Sequence, residues 1–175
     1  DFECLPGGLR PHTETRLSKG EARSILHHWR DVEEMTGQPF DFDFFEAHSE
    51  FIYDTEPACR AVNTAKEIED GEPLAFHHRL QQRFYAKGDD PTAPSTFRAV
   101  ADGLNLDVDN FQNLFESNRL RELTRKGFSK SRETGVRGYP TVDLESQTDR
   151  VRLTTGYCEL DKLKAQFDEA KAAIG

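Results

Sequence analysis

The sequence predicts an α/β chain in which a small sheet is interrupted by a long, purely helical subdomain. Three observations carry that prediction. A short apolar alternation opens the chain, a stretch from Thr13 to about Ser131 is patterned almost throughout at helical spacing, and two further strand-like runs precede a final amphipathic helix. With 175 residues the chain fits one domain, or one domain with a large insertion, and can bury a sizeable core. The corresponding boundaries place the sheet-bearing part at 1–12 and 135–175 and the helical insertion at 13–134.

Taken in order, Asp1 to Leu5 reads as a short strand, with Phe2 and Cys4 on one side and Glu3 on the other. Pro6-Gly7-Gly8 ends it. Ser18-Lys19-Gly20-Glu21 is a capping box, after which Ala22, Ile25, Leu26, Trp29 and Val32 form an inward stripe until Thr36-Gly37 stops the helix. Asp41 to Glu46, rich in Phe, is ambiguous by period; one helical turn whose aromatics plug the core is compatible with it. Asp54 or Thr55 caps the next helix, Pro57 sits in its first turn, and Cys59, Val62 and Ile68 fall near one face. Gly71-Glu72-Pro73 separates it from a helix through Ala86, with Leu74, His77, Leu80 and Phe84 in register. Asp89 to Pro94 is a loop. Shorter helices are expected at about Ser95 to Asp102 and Val108 to Phe115, then a longer one capped by Ser117 and running to Thr134.

At the C-terminus Gly135 closes that helix, and Gly138 loosens the backbone just before the Tyr139-Pro140 bond. Val142 and Leu144 then begin a strand. A trans Pro opening an edge strand and a cis Pro at a strand entrance both fit these residues. The polar turn Ser146-Gln147-Thr148-Asp149 leads to a second strand, Arg150 to Thr155, and Gly156-Tyr157 leads to a helix carrying Leu160, Leu163, Phe167, Ala170 and Ile174. That stripe reads as a core face covering a sheet.

The step Gly138-Tyr139-Pro140-Thr141 followed by strand, hairpin, strand and helix resembles the C-terminal half of the thioredoxin fold. Gly7-Gly8-Leu9-Arg10-Pro11 and Tyr53-Asp54-Thr55-Glu56-Pro57-Ala58-Cys59-Arg60-Ala61-Val62 narrow the resemblance to DsbA-like thiol-disulfide oxidoreductases with a helical insertion, specifically the FrnE-like branch. The similarity runs from about Phe2 to the end. It implies a thioredoxin-like fold, truncated at its N-terminal strand, with a large all-helical insertion. It also implies a cis-Pro loop that aligns a substrate disulfide with a thiolate at a helix N-terminus. The Cys-x-x-Cys of the family would lie upstream of Asp1, and Cys4, Cys59 and Cys158 are too far apart to form one. The chain as written is therefore expected to have no catalytic residue of its own and no dithiol-exchange activity.

On that resemblance the substrate-binding residues are Gly138, Tyr139, Pro140 and Thr141, flanked by Arg10 and Arg137, whose guanidinium groups would favour a thiolate or a glutathione carboxylate. Tyr139 lines the groove or packs on the sheet. The partner is a disulfide-containing or thiol peptide or protein, with no cofactor beyond possible glutathione. Two alternatives stand beside the oxidoreductase: a non-redox, chaperone-like peptide-binding module, and a relative of the kappa-class glutathione transferases or 2-hydroxychromene-2-carboxylate isomerases.

Other classes lack residues. A net charge of -9 and a pI near 5.2, with Lys and Arg scattered among acids, exclude a nucleic-acid face. No apolar run approaches the ~20 residues that span a bilayer, so no membrane partner is expected. His27-His28 and His77-His78 point about 100° apart on a helix and do not chelate a metal. No nucleophile elbow, phosphate loop or dinucleotide fingerprint occurs. Three cysteines at irregular spacing favour a reducing, cytoplasmic compartment, although a removed N-terminal signal is compatible with the same residues. An open sheet edge predicts self-association, a homodimer being one outcome.

Overall fold

The computed structural model describes residues 2–68 and 72–174. The chain forms two compact units, Asp1–Phe128 and Ser129–Gly175.

In the first unit, residues 2–8 carry no regular secondary structure, which corrects the strand expected over Asp1 to Leu5; Asp1 itself lies outside the described residues. A strand exists only where a neighbour completes its hydrogen-bond ladder, and among the described residues the sheet consists of two strands elsewhere in the chain. The segment is held otherwise. Gly8 has φ +65°, and a Cβ there would stand 2.7 Å from the Phe128 ring, so the backbone approaches the aromatic face as only glycine allows.

Helix α1 (Lys19–Thr36) starts as the sequence specifies. Ser18 Oγ accepts the Glu21 N–H at 3.2 Å, and the Glu21 carboxylate accepts the Ser18 N–H at 2.8 Å. Gly37 ends it in the left-handed region, its N–H bonded to Glu33 O. Helix α2 (Phe44–Ala47) is a single turn, and its Phe44 is completely buried. Helix α3 (Glu56–Glu67) is capped by Asp54, whose Oδ1 accepts the Glu56 N–H at 2.9 Å, while Thr55 Oγ1 is occupied by the Arg10 N–H. Thr55 N–H in turn donates to Arg10 O at 3.2 Å. The Gly7–Pro11 stretch and the start of α3 are thereby laced together, by one backbone bond and one bond to the Thr55 hydroxyl.

Helix α4 (Pro73–Gln81) runs into a π turn, Gln82–Ala86. Its inward face differs from the expected one: Phe76, Leu80 and Phe84 are buried, whereas Leu74 and His77 are exposed. The buried set is spaced 4-4, and Phe76 stacks on Phe111 at 5.3 Å between ring centroids. Shape matching to that ring outweighs the apolar count at Leu74. The expected separator residue Gly71 lies outside the described residues. Helices α5 (Pro94–Gly103), α6 (Val108–Glu116) and α7 (Asn118–Glu133) follow. Ser117 Oγ accepts the Leu120 N–H at the start of α7.

Two apolar clusters fill this unit. One joins α3 to α6 around Phe76, Phe97, Phe111 and Phe115; the other is an aromatic knot of Trp29, Phe44, Phe51 and Phe84. Trp29 lies 5.4 Å from Phe45 and 5.3 Å from Tyr85, in stacked and edge-on arrangements that suit aromatic quadrupoles.

The second unit holds strand β1 (Thr141–Glu145), strand β2 (Arg150–Thr155) and helix α8 (Leu160–Ile174). The strands are antiparallel, pairing Glu145 with Arg150 and Thr141 with Thr155, with a bulge between Val142 and Asp143. Helix α8 packs on both strands. Only part of its expected stripe is covered: Ala170 is buried and Leu163 and Ile174 are half-buried, but Leu160 is 61% and Phe167 41% exposed. Two strands about 4.8 Å apart are narrower than a helix about 10 Å across, so one edge of the stripe overhangs.

Candidate functional site

The α7–β1 connection, from Thr134 to Thr141, is where the sequence-predicted residues of the second unit gather. Gly135 leaves α7 at φ +72°, its N–H bonded to Arg132 O at 3.0 Å, and Val136 N–H reaches back to Ser131 O at 3.1 Å. The far end is pinned as well. Thr141 Oγ1 donates to Gly138 O at 2.7 Å, and Gly156 N–H donates to Pro140 O at 2.7 Å. The Tyr139–Pro140 peptide bond is cis. A Cβ on Gly138 would stand 3.1 Å from Thr155 Cγ2, so the loop lies tight against β2 at that point.

Between these anchors the loop turns outward. Tyr139 is 43% exposed, and Arg137 and Pro140 are exposed, while Gly138 and Thr141 are half-buried. The surface so formed is an aromatic ring and a pyrrolidine ring with a guanidinium group two residues upstream. Such a surface suits an extended peptide, whose side chains find apolar rings and whose carboxylates find a cation.

Arg10, the remaining predicted residue, belongs to the first unit. There its backbone is paired with Thr55, and its guanidinium faces the Glu21 carboxylate at 3.7 Å.

Sequence reasoning passed over one residue at this loop, Arg152 on β2. Its Nε donates to Asp143 Oδ1 at 2.9 Å and its Nη2 to Asp143 Oδ2 at 3.2 Å, while Nη1 and Nη2 reach Gly135 O and Thr134 O at 3.1 and 3.0 Å. These bonds to Asp143 hold the guanidinium above its ordinary value. The signal was present in the sequence: a symmetric hairpin about Ser146–Asp149 sets Asp143 directly across from Arg152, and opposed opposite charges favour that register.

The three thiols are all unpaired and half-buried. Burial pushes Cys59 up to about 11, even though a Gly8 backbone hydrogen bond works the other way. Cys4 is likewise raised by burial, against the pull of Lys66. Cys158 lies in the turn after β2, its Sγ 3.6 Å from Glu159 O and Gln166 Oε1. A thiol held above its ordinary value is a weaker nucleophile at neutral pH, and burial works in that direction at both Cys4 and Cys59. Among the described residues no group of His, Cys, Asp and Glu is arranged to hold a metal ion, and no helix is long and apolar enough to cross a membrane.

No family model and no curated protein matches this sequence. Solved structures do. A "putative protein disulfide isomerase" from Nitrosomonas europaea is 35% identical, with a TM-score of 0.87, over 97% of this chain and 81% of that one. The cytosolic disulfide reductase DsbM from Pseudomonas aeruginosa superposes with a TM-score of 0.76 at 22% identity, over 98% of this chain and 83% of its own. The same reductase with GSH gives a TM-score of 0.72 at 23% identity, over 97% and 83%. The DsbM likeness speaks to fold; the Nitrosomonas likeness speaks also to descent.

Proposed function

The chain belongs to the DsbA-like family of thioredoxin-fold disulfide oxidoreductases and isomerases, and from that premise we propose that it docks thiol- or disulfide-bearing peptides on the loop Gly138–Thr141. The observation that carries the proposal is the pairing of this ancestry with an exposed Tyr139-Pro140 surface pinned at both ends by hydrogen bonds. Tyr139 and Pro140 supply apolar contact, and Arg137 supplies a cation for a peptide carboxylate or for glutathione, the ligand that accompanies DsbM. Three free thiols and the cytosolic setting of DsbM support action in a reducing compartment.

In disulfide exchange a thiolate attacks one sulfur of a substrate disulfide, forming a mixed disulfide and releasing the other sulfur as a thiolate; a second thiol then resolves the mixed disulfide. The 175 residues contain no Cys-x-x-Cys pair, and burial raises Cys4 and Cys59 above the ordinary thiol value. The part of the cycle that these residues serve is therefore the holding of the peptide. A second reading, a peptide-binding module with no thiol chemistry of its own, is favoured by those same raised thiols.

The test uses a short fluorescent peptide carrying an alkylated cysteine, which binds without exchanging. Fluorescence anisotropy is expected to show saturable binding that weakens on the order of tenfold in Tyr139→Ala, about 1.4 kcal/mol, and also weakens in Arg137→Glu. Dithiol-driven reduction of a model disulfide by this chain is expected to stay at the uncatalysed rate. Binding that ignores both substitutions removes the loop from the mechanism, and turnover abolished by Cys59→Ser reassigns that thiol as a nucleophile.

A further inference from the structure

We infer that Arg152 is the positioning residue of the docking loop, its guanidinium fixing the end of α7 against β1 and thereby the stance of Gly138–Thr141 between them. The inference rests on the docking role proposed for that loop.

Thr134 and Gly135 carry carbonyls at the C-terminal end of α7, where the helix itself supplies no donors and where a cation is favoured. Arg152 reaches both of these carbonyls, and with the rest of its planar fork it grips Asp143 through two bonds. The connection from Val136 to Pro140 thus starts at carbonyls held by β2 and ends at Pro140 O, bonded to Gly156 just beyond β2. Both ends of the loop are held by β2 and the residue that follows it.

A plain cross-strand ion pair does not account for this arrangement. Asp143 also faces Arg150 Nε at 3.7 Å, so its charge keeps a partner if Arg152 is removed, whereas the two carbonyls lose theirs. A lysine at this position retains the charge opposite Asp143. Its single ammonium does not bridge a carboxylate in bidentate fashion and two carbonyls in one plane.

The experiment compares Arg152→Lys and Arg152→Met with the parent chain and with Tyr139→Ala, using the same alkylated-cysteine peptide, melting temperature, and hydrogen exchange at the Val136 amide. Arg152→Lys is expected to melt like the parent, to bind the peptide on the order of tenfold more weakly, and to exchange the Val136 amide faster. Arg152→Met is expected to bind at least as weakly as Arg152→Lys; should it fail to fold, the lysine variant decides alone. Parent-like binding by Arg152→Lys overturns the inference, and weakening that merely tracks a lower melting temperature replaces it with a general stabilising role. If Tyr139→Ala binds like the parent, the docking role falls and this inference with it. If Tyr139→Ala weakens binding and Arg152→Lys does not, only the inference falls.

Discussion

Arg60 is buried with Glu56 one helical turn before it. Its Nε and Nη2 meet the two Glu56 oxygens at 2.8 and 3.1 Å, Nη1 donates to Phe115 O at 2.7 Å, and the guanidinium lies 4.0 Å over the Phe115 ring. Desolvating two charges is costly, and the pair persists because these contacts occupy the guanidinium from several directions. Truncating one partner leaves the other buried and unpaired. Arg60→Ala is expected to lower unfolding free energy by about 3–5 kcal/mol in urea melts; the local residue pattern gave no sign that this pair is buried. Cys59, by contrast, was placed by its spacing near one face with Val62 and Ile68, and the structure leaves it half-buried there. Its raised value fixes the sign of a pH effect. Between the ordinary 9.0 and about 11 the folded chain keeps a proton that the unfolded chain gives up, so this contribution to stability is intact below pH 9 and falls as pH rises through 11. Denaturant midpoints measured across that range are expected to decline less steeply in Cys59→Ala.

At the scale of elements, local signals were the readable ones. The Ser18–Glu21 box, the Gly37 stop and the Ser117 cap depend on a few neighbouring atoms, and the structure uses all three. Ser18→Ala is expected to cost about 1 kcal/mol in chemical denaturation. The Glu21 carboxyl, held below its ordinary value by its backbone and side-chain bonds to Ser18, lends its support fully above the ordinary carboxylate range and loses it as pH falls through the depressed value. Elements that need a distant partner were not readable in the same way. Phe2 and Cys4 alternate as a strand does, yet a ladder requires a neighbour that no local pattern specifies. Likewise α8 carries a full apolar stripe, but how much of it is covered depends on the width of the sheet beneath. The π turn at Gln82–Ala86 keeps Phe84 on its expected buried face but adds a neighbour that periodicity does not foresee. It widens the ladder by one residue, so Phe84 and Tyr85, adjacent in sequence, both reach the aromatic knot around Trp29.

For the molecule as a whole, the candidate site was legible as a stretch of residues but not as a built object. Gly138 through Thr141 stood out by turn chemistry, while the anchors that shape the loop come from the end of α7, from Arg152 on β2 and from Gly156 just beyond it, and the register of the hairpin decides which of them reach it. The second unit also leaves Leu160, Phe167, Tyr157 and Tyr139 substantially exposed, a larger apolar share than a small polar unit needs for solubility. The native chain is expected to bind an apolar fluorescent dye, and the double substitution Leu160→Ser with Phe167→Ser is expected to reduce that signal without loss of helical circular dichroism. Unchanged dye binding would place the apolar surface elsewhere. The aromatic knot carries a practical corollary for such work. Trp29 is the chain's single indole, and it sits wholly within the first unit. Intrinsic emission is thus a lamp in one room: a titration followed at that wavelength reads the helical part, and events at the Tyr139 loop call for a reporter introduced there.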